Sequence, residues 1–342
     1  MNRKDKPPRR MQMADLARLA GVSSSTVSRA LAGSPLVNEA TRARIQALAR
    51  QFDYTVNSVA THLRSGVPRT IAVVVPYEQA TRQSFADPFL HGMVGSLADA
   101  LTERGYEMLL ARVDAERLEG AATLVAGGRA GGLILIGQWH QHATLNALAQ
   151  RGIPLVVWGA RMPGQRYSTV GGDNLLGGRL VGEHLLALGR RRMIFLGDTS
   201  LPEVALRHRG FCAALRAGGA SAPARASVPF LAERGRAAML ALLDRHPDVD
   251  AVFASSDLLA MAAIGALRER GREVPGEVAV VGYDDVELAA HFSPPLTTVR
   301  QPIQSGGEAL VERLLTILAG DSAPRAQLLE TRLIERASTR SS

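Results

Sequence analysis

Apolar residues recur at helical spacing in three short stretches of the first fifty residues. Gly21 follows the first stretch, where a helix ends on a left-handed backbone, and Ser23 is placed to cap the second helix. Asn38 is placed to cap the third. The residues predicted to face inward are Met13, Leu16, Ala17 and Ala20, then Val27, Ala30 and Leu31, then Ile45, Leu48 and Ala49. The pattern predicts a small, all-helical head.

From about residue 70, short β-rich runs alternate with helical stretches, which predicts an α/β body of mainly parallel sheets covered by helices. The predicted strands are Ile71–Val75, Met108–Ala111, Leu133–Ile136, Leu155–Trp158, Met193–Leu196, Ala251–Ala254 and Val278–Val281. The predicted helices lie near 89–104, 116–127, 141–151, 175–189, 204–217, 235–245 and 257–270. Ligands bind such sheets at the carboxyl ends of the strands, so we expect the functional loops there.

The net charge is concentrated in the first seventy residues. They hold 12 Lys or Arg against 4 Asp or Glu. The whole chain has 40 Lys or Arg and 32 Asp or Glu, so the other 272 residues hold 28 basic and 28 acidic side chains. A basic head on a neutral body indicates that the head meets a polyanion while the body has another task. Residues 1–10, rich in Lys, Arg and Pro, are expected to be a disordered basic tail, and they lack the apolar core of a signal peptide.

Cysteine content and hydropathy set two further limits. Cys212 is the sole cysteine, which excludes an intrachain disulfide and fits a reducing compartment. No apolar run approaches the eighteen residues of a membrane span. We therefore expect a cytoplasmic protein without a membrane partner. His140 and His142 are too isolated to predict a metal site, and no catalytic constellation or cofactor motif stands out, so an enzyme is not expected.

Two short helices joined through a glycine turn form a helix-turn-helix, whose second helix enters the DNA major groove by its N-terminal residues. Small hydroxyls there suit phosphates and base edges, and Arg29 offers a bidentate fork. The candidate DNA-binding residues of this unit are Ser23, Ser24, Ser25, Thr26, Ser28, Arg29 and Asn38. The alternative is that the hydroxyls only cap the helix and that Arg29 is solvated.

The stretch from Asp15-Leu16-Ala17 through Gly21-Val22-Ser23 to Arg29-Ala30-Leu31 resembles the signature of the lactose-repressor (LacI-type) transcription factors. Asn57–Gly66 resembles the hinge helix of that family. The resemblance implies that this segment pairs with its symmetric copy in the DNA minor groove, where Leu63 wedges into the central base step. It adds four candidate DNA-binding residues: Asn57, Ala60, Leu63 and Arg64. Alternatively, Leu63 is a linker residue that packs locally.

The resemblance continues through the body. Its most specific motifs are Arg207-His208-Arg209-Gly210-Phe211, Ser255-Ser256-Asp257-Leu258, Val280-Val281-Gly282-Tyr283-Asp284-Asp285 and Pro294-Pro295-Leu296. The implied fold is that of periplasmic sugar-binding proteins, with two lobes joined by three crossings near 168–172, 297–301 and 326–330. The implied domains are a helix-turn-helix at 11–56, a hinge and linker at 57–69 and an effector-binding and dimerisation domain at 70–340. Lobe 1 then comprises about 70–168 and 301–326, and lobe 2 about 172–297 and 328–340.

The cleft between such lobes is expected to hold a small-molecule effector. Arg207 and Asp284 stand where relatives bind sugar hydroxyls or a charged effector, and an Arg–Asp pair suits a polyol. The alternative is that both form salt bridges at the lobe surface. Asp87 and Phe89 match the loop at the cleft mouth. Phe230 matches an aromatic residue that stacks on sugar rings, although core packing fits it nearly as well.

Two departures from the family pattern limit this transfer. Ser256 stands where relatives have a ligand-binding Asn, so it would reach a ligand through water. The Asp often found after the fourth strand is absent; Trp158 there offers a stacking face or is a buried structural residue. Both departures argue against a galactoside. A neutral sugar, such as a glucoside, is the first expectation for the effector, and a purine or nucleoside is the second.

Together these features predict a homodimeric, sequence-specific transcriptional repressor of carbohydrate-utilisation genes, released from a palindromic operator by a sugar. Its expected partners are double-stranded operator DNA, the effector and a second copy of the chain, with no cofactor or metal. The segment after Leu333-Ile334 holds no leucine heptad that would form a tetramer. A purine-responsive, co-repressed regulator is the main alternative. A sugar-binding transport protein is opposed by the head and by the absence of a secretion signal.

Overall fold

A computed structural model of the chain describes residues 11–31, 33–52, 54, 68–78, 85–322 and 324–340. The chain forms two compact units, which we call the head (Met1–Pro68) and the body (Arg69–Ser342). The predicted tail at 1–10 and the predicted hinge helix at 57–66 lie outside the described residues.

The head contains the three helices that the apolar pattern predicts. They are α1 (Met13–Ala20), α2 (Ser24–Leu31) and α3 (Glu39–Gln51). Their common core consists of the buried residues Leu16, Ala17, Ala20, Val27, Ala30, Val37, Ile45 and Ala49. The predicted core residues Met13, Leu31 and Leu48 are only partly buried and pack against it.

The helix ends of the head are formed by the predicted capping residues. Gly21 ends α1 with φ +61°, a conformation that glycine adopts without steric cost. Ser23 Oγ accepts a hydrogen bond from Thr26 N at 3.2 Å at the start of α2. Asn38 Oδ1 accepts one from Thr41 N at 2.8 Å at the start of α3. Each cap satisfies a backbone N–H that the helix itself leaves without an acceptor.

Lobe 1 of the body is built on a six-stranded sheet in which all neighbouring strands are parallel. Its strands are β1 (Thr70–Tyr77), β2 (Glu107–Asp114), β3 (Gly132–Ile136), β4 (Leu155–Trp158), β5 (Ser168–Gly172) and β11 (Ala326–Leu329). Their order is β2-β1-β3-β4-β5-β11. The helices of this lobe are α4 (Pro88–Glu103), α5 (Ala122–Ala126), α6 (His142–Gln150) and α12 (Ile303–Leu318).

Lobe 2 repeats this plan, except that its last strand is antiparallel to its neighbour. Its strands are β6 (Met193–Leu196), β7 (Ala224–Ala226), β8 (Ala251–Ala254), β9 (Ala279–Asp284), β10 (Thr297–Arg300) and β12 (Arg332–Ile334), in the order β7-β6-β8-β9-β10-β12. Its helices are α7 (Asn174–Ala187), α8 (Pro202–Ala217), α9 (Ala232–Arg245), α10 (Asp257–Glu269) and α11 (Glu287–His291). The predicted α/β fold class is confirmed.

The described chain passes between the two sheets at Asp173, at 301–302 and at 330–331. The expected crossings at 168–172, 297–301 and 326–330 are therefore a few residues too early. Most of those residues belong to strands, because pairing continues up to Gly172, Arg300 and Leu329. Lobe 1 accordingly extends to 172 and 329, and lobe 2 extends to 300.

Two regions differ further from the predicted elements. The helix expected at 116–127 is a 3₁₀ helix (Ala115–Ala121) followed by the short α5, because the backbone of Arg117 leaves the helical region at φ −121°. The long helix α12 and the five strands β5, β7, β10, β11 and β12 are absent from the sequence prediction. These strands are three to five residues long, and none of them contains more than two consecutive residues from Val, Ile and Leu, so they lack a strong apolar run.

Helices α7 and α8 lie in near-backbone contact. A Cβ on Gly178 of α7 would lie 1.9 Å from the carbonyl oxygen of Arg207, and a Cβ on Gly210 of α8 would lie 2.0 Å from that of Leu175. No side chain fits at such distances. Since α8 carries Arg207, the two glycines determine where that side chain starts.

We expect Gly178→Ala to push α8 away from α7 and to lower the free energy of unfolding by about 3 kcal/mol, the upper end for an over-packed core. Gly265→Ala is the matched control, because no neighbouring atom lies within 4 Å of its Cβ position in α10. It should raise stability by about 0.5–1 kcal/mol through helix propensity. Urea denaturation followed by circular dichroism measures both, and equal stabilities would contradict the packing.

Candidate DNA-binding surface and effector cleft

The N-terminus of α2 presents a cluster of hydroxyl groups. Ser23, Ser24 and Ser25 are exposed, while Thr26 and Ser28 are partly exposed. Ser23 Oγ lies 2.8 Å from Ser25 Oγ and 2.9 Å from Thr26 Oγ1, within hydrogen-bond distance of both. The structure therefore brings three of the predicted hydroxyls, those of Ser23, Ser25 and Thr26, together at one helix end, where the helix dipole favours phosphate oxygens.

Arg29 is the exposed cation of α2, and it is not ion-paired within the described part of the head. Other arginines of the head are engaged. Arg44 donates to Ala20 O at 2.6 Å, and Arg18 pairs with Asp15 at 3.0 Å. A role of Arg29 in DNA binding stays a prediction.

Asn38 is committed through its Oδ1 to the cap of α3, which leaves its amide NH₂ as the group that could donate to DNA. The other predicted DNA-binding residues, Asn57, Ala60, Leu63 and Arg64, lie outside the described residues. The minor-groove wedge assigned to Leu63 stays a prediction.

All seven residues predicted to bind the effector line one cleft of the body. They are Asp87, Phe89, Trp158, Arg207, Phe230, Ser256 and Asp284. The cleft encloses about 640 Å³ including its open mouth, and both lobes contribute to its walls. Its other lining residues are Leu90, Ile136, Gly137, Trp139, Leu201, Glu203, Val204 and Gln301. An apolar cleft with a few convergent polar groups is typical of small-molecule sites.

Arg207 is the buried cation of this cleft, with 5% of its surface exposed. Its Nε donates to Asn174 Oδ1 at 2.8 Å, and its Nη1 donates to Ser255 O at 2.5 Å. Its guanidinium carbon lies 3.6 Å from the centroid of the Tyr283 ring, a cation–π contact. Arg207 is therefore held inside lobe 2, and the alternative of a surface salt bridge is wrong.

Asp284 is a buried acid at the end of β9. Its Oδ1 accepts a hydrogen bond from Gln301 Nε2 at 2.6 Å. Burial raises the pKa of Asp284 well above its usual range; the Arg207 guanidinium opposes this rise, and the carboxyl groups of Asp257 and Asp87 add to it. The backbone φ of +120° is unfavourable for any residue but glycine. Strand β9 thus ends in strained backbone at the cleft wall.

Two further acids line the cleft. Asp87 caps α4 by accepting from Phe89 N at 3.0 Å, and burial raises its pKa. Burial also raises the pKa of Glu203, with Arg207 acting in the opposite direction. The described lining thus carries three carboxyl groups, including that of Asp284, against one guanidinium.

Ser256 caps the N-terminus of α10, and its Oγ accepts from Leu259 N at 3.2 Å, which leaves the hydroxyl proton free to be donated to another acceptor. The next residue, Asp257, is completely buried. Its Oδ1 accepts from Thr298 Oγ1 at 2.5 Å and its Oδ2 accepts from Val286 N at 2.9 Å. Burial raises the pKa of Asp257 to about 7.

Aromatic rings supply much of the apolar lining. The rings of Phe89 and Trp158 lie with centroids 6.1 Å apart. Phe89 packs against the cores of both lobes, and Phe230 packs against lobe 2. Trp158 belongs to the core of lobe 1 and also lines the cleft. Its burial as a structural residue is confirmed, and its role as a stacking face stays a prediction.

Three polar or aromatic residues of the cleft are not among the predicted effector-binding residues: Trp139, Glu203 and Gln301. Each carried a usable signal. Trp139 follows β3 at its carboxyl end, where functional loops are expected. Glu203 precedes Arg207 by one helical turn, and Gln301 follows the strand that ends at Arg300.

Neither a metal centre nor a membrane helix is found in the described ranges. No group of three His, Cys, Asp or Glu side chains there could hold a metal ion. No helix there is both long and apolar enough to cross a bilayer. His142 is instead hydrogen-bonded to the Tyr167 hydroxyl at 2.9 Å.

Residues 12–57 match the model for bacterial regulatory proteins of the lacI family, and residues 183–339 match that for a periplasmic binding protein-like domain. The HTH-type transcriptional regulator CelR of Thermobifida fusca is 36% identical over 340 residues, which cover 96% of this chain and 98% of CelR. The chain belongs to the lacI family of bacterial regulatory proteins.

Other lacI-family proteins agree. The ribose operon repressor of Escherichia coli K12 is 30% identical over 95% of this chain and 99% of its own. The lac repressor dimer bound to operator and the anti-inducer ONPF matches with a TM-score of 0.86 and 26% identity, covering 97% of this chain and 100% of the repressor chain. The structure of the CelR–cellobiose complex matches with a TM-score of 0.71 and 35% sequence identity, covering 96% of this chain and 100% of the CelR chain. The predicted family, two-lobed fold and role as a DNA-binding transcriptional regulator are confirmed.

The buried Asp257 should make stability depend on pH. Its pKa is about 7 in the folded protein against 3.8 ordinarily, so between these values the folded protein holds a proton that the unfolded chain lacks. This contribution is fully present below about pH 4 and is lost as the pH rises towards 7. The free energy of unfolding should therefore fall by up to about 1.4 kcal/mol per pH unit over that range.

Asp257→Asn should flatten this slope, because its amide can still accept from Val286 N and donate to Thr298 Oγ1. Urea unfolding of both proteins between about pH 5 and pH 7 makes the comparison. Asp284 contributes a slope of the same sign, so a residual dependence is expected in the variant. An unchanged slope would show that Asp257 is ionised throughout.

Proposed function

We propose that this lacI-family protein is a homodimeric repressor of carbohydrate-utilisation genes that a neutral sugar, of the glucoside class, releases from a palindromic operator. The observation that carries the proposal is the composition of one cleft. Four aromatic rings, those of Phe89, Trp139, Trp158 and Phe230, line it together with Arg207 and Asp284. Acting on DNA in a bacterium, the protein works in the cytoplasm.

A pyranose matches such a lining chemically. Its C–H faces are apolar and stack on aromatic rings, whereas its hydroxyls both donate and accept hydrogen bonds. Arg207 and the Ser256 hydroxyl can donate, and Asp284 can accept. These groups would therefore fix the orientation of a ring held by the aromatic lining.

The balance of charge argues for a neutral ligand. The lining carries the carboxyl groups of Asp87, Glu203 and Asp284 against the guanidinium of Arg207. A sugar phosphate would place a negative charge beside three buried acids and would disfavour their ionised forms further, with only Arg207 to offset it, at a cost that grows in a site shielded from water. The cellobiose bound in the CelR structure is a neutral disaccharide of glucose, which supports the same class.

The head supports operator binding by a dimer. Two heads related by a two-fold axis would contact half-sites roughly one helical turn apart, about 10 base pairs. The positive charge of the first seventy residues would bind phosphates and make affinity fall with salt.

Arg29→Ala should weaken binding to an operator selected from a random DNA pool by about 1–3 kcal/mol, if Arg29 reads a base edge. Affinity for scrambled DNA should fall much less. Fluorescence anisotropy with both DNAs measures the two effects. Arg18→Ala is the control, because its guanidinium is already paired with Asp15 and its loss should affect both DNAs equally. Equal losses for Arg29→Ala would mean that Arg29 contacts only phosphates.

Asp284→Asn should leave operator binding intact and weaken release by sugar. The amide oxygen can still accept from Gln301 Nε2. The amide NH₂ replaces the second carboxyl oxygen, and the loss of that acceptor for a sugar hydroxyl costs about 0.5–1.5 kcal/mol of sugar binding. Arg207→Ala is less suited to this test, because Arg207 also holds Asn174 and Ser255 O in place. The matched control is Asp244→Asn. Asp244 lies on α9, is exposed and forms an ion pair with Arg270.

The measurement is an operator titration with and without cellobiose, with a free purine base as the second ligand. Release by cellobiose that is reduced in Asp284→Asn and normal in Asp244→Asn supports the proposal. Tighter operator binding in the presence of the purine would instead identify a co-repressed regulator. A normal sugar response in Asp284→Asn would show that Asp284 does not bind the sugar.

A further inference from the structure

The loop after β3 is anchored in lobe 1 by one buried side chain. Gln138 Nε2 donates to Ala160 O at 2.7 Å and to the Tyr167 hydroxyl at 2.9 Å, and Gln138 Oε1 accepts from Ala160 N at 2.9 Å. A Cβ on Gly159 would lie 2.6 Å from Gln138 Cγ, so glycine there provides the space for this side chain. On the other side of the cleft, Glu203 Oε1 of lobe 2 accepts from Gln138 N at 3.4 Å. Gln138 therefore touches both lobes.

Trp139 comes next and extends onto lobe 2. Its ring packs against the core of lobe 2 that contains Leu201 and Val204, although its backbone belongs to lobe 1. Its φ of +50° is a rare and costly conformation for so bulky a residue. A Cβ on Gly137 would lie 3.0 Å from Trp139 Nε1, so glycine there leaves room for the ring. Anchors on both sides hold Trp139 in this strained position.

The geometry points to Trp139 as a specificity-determining residue for the effector, with Gln138 as its positioning residue. This inference rests on the proposed function, because it takes the ligand to be a sugar. The Trp139 ring offers an apolar face for a pyranose on the lobe 2 wall, in addition to the Trp158 ring of lobe 1 and the Phe89 ring, which packs on both lobes.

Because the ring of Trp139 rests on lobe 2 while its backbone belongs to lobe 1, a movement that separates the two lobes would break this contact. Stacking on Trp139 would therefore favour an arrangement with the lobes as close as they are here, which we call closed, over a more open one. A ligand shifts such an equilibrium by its difference in affinity for the two states. Trp139 thus links sugar recognition to lobe closure.

The first test needs no ligand. The chain has two tryptophans, and both line the cleft, so full-length Trp158→Phe protein reports on Trp139 alone. Its fluorescence should be shielded from acrylamide, and adding Gln138→Leu should increase quenching without changing the far-UV circular dichroism. Gln138→Glu, which keeps an acceptor and loses the donors, replaces Gln138→Leu if that variant does not fold. Trp139 fully open to quencher in the Trp158→Phe protein would overturn the inference.

The second test is calorimetric titration of the full-length protein with cellobiose. Trp139→Ala should weaken binding by about tenfold, the loss of one stacking face, and Trp139→Phe should restore most of it. His140→Ala is the control, since His140 is the next residue, does not line the cleft and faces Glu78 at 3.5 Å. It should bind like the wild type.

The two proposals fail in different ways. If the wild type binds cellobiose and Trp139→Ala binds it equally well, the role of Trp139 is wrong and the proposed function stands. If the wild type binds neither cellobiose nor other neutral glucosides, the proposed effector class is wrong and the role of Trp139 in selecting it is overturned with it.

Discussion

Burial of the Arg207 guanidinium is the constraint on which lobe 2 depends. A charge removed from water requires partners around it. They come from three elements: Asn174 at the start of α7, Ser255 at the end of β8 and the Tyr283 ring in β9. To supply its share, α7 must approach α8 so closely that Gly178 has no room for a side chain. The position of the Arg207 guanidinium therefore depends on the close packing of α7 against α8.

The acids of the cleft are the counterpart of this cation. Burial disfavours the ionised carboxylates of Asp257 and Asp284 by more than the Arg207 guanidinium can offset. Both side chains therefore have a raised pKa and hold their protons more tightly than in water. Asp284 and Trp139 also take left-handed backbone at the cleft wall. Residues in such conformations persist where their surroundings over-determine them, as at ligand sites. Polar burial and backbone strain therefore converge on the same cavity from opposite lobes.

The three helices of the head could be predicted from the local pattern of apolar and capping residues. The cleft residues could be predicted from their resemblance to family motifs. Caps such as Ser23 and Asn38 act within four residues, so their roles follow from short stretches of sequence. The crossings could not be located to the residue, because the sheet that β5 or β11 joins is decided by pairing with distant strands. The place of Trp139 in the cleft could not be predicted for a related reason. Its importance arises from packing on a core of lobe 2 whose residues follow it by more than forty positions.

The three crossings have a consequence for synthesis of the chain. Lobe 1 lacks α12 and β11 until residue 329 has been made, and lobe 2 lacks β12 until residue 334. Domains usually fold as units while they leave the ribosome, from the N-terminus onward. Here the head can do so, whereas neither lobe has its full sheet until almost the whole chain has emerged. A stop codon shortly after residue 300 would therefore damage both lobes instead of deleting one and sparing the other. In lobe 1 it would expose the apolar surface that Leu310 and Leu314 cover. In lobe 2 it would leave β10 without its antiparallel partner β12.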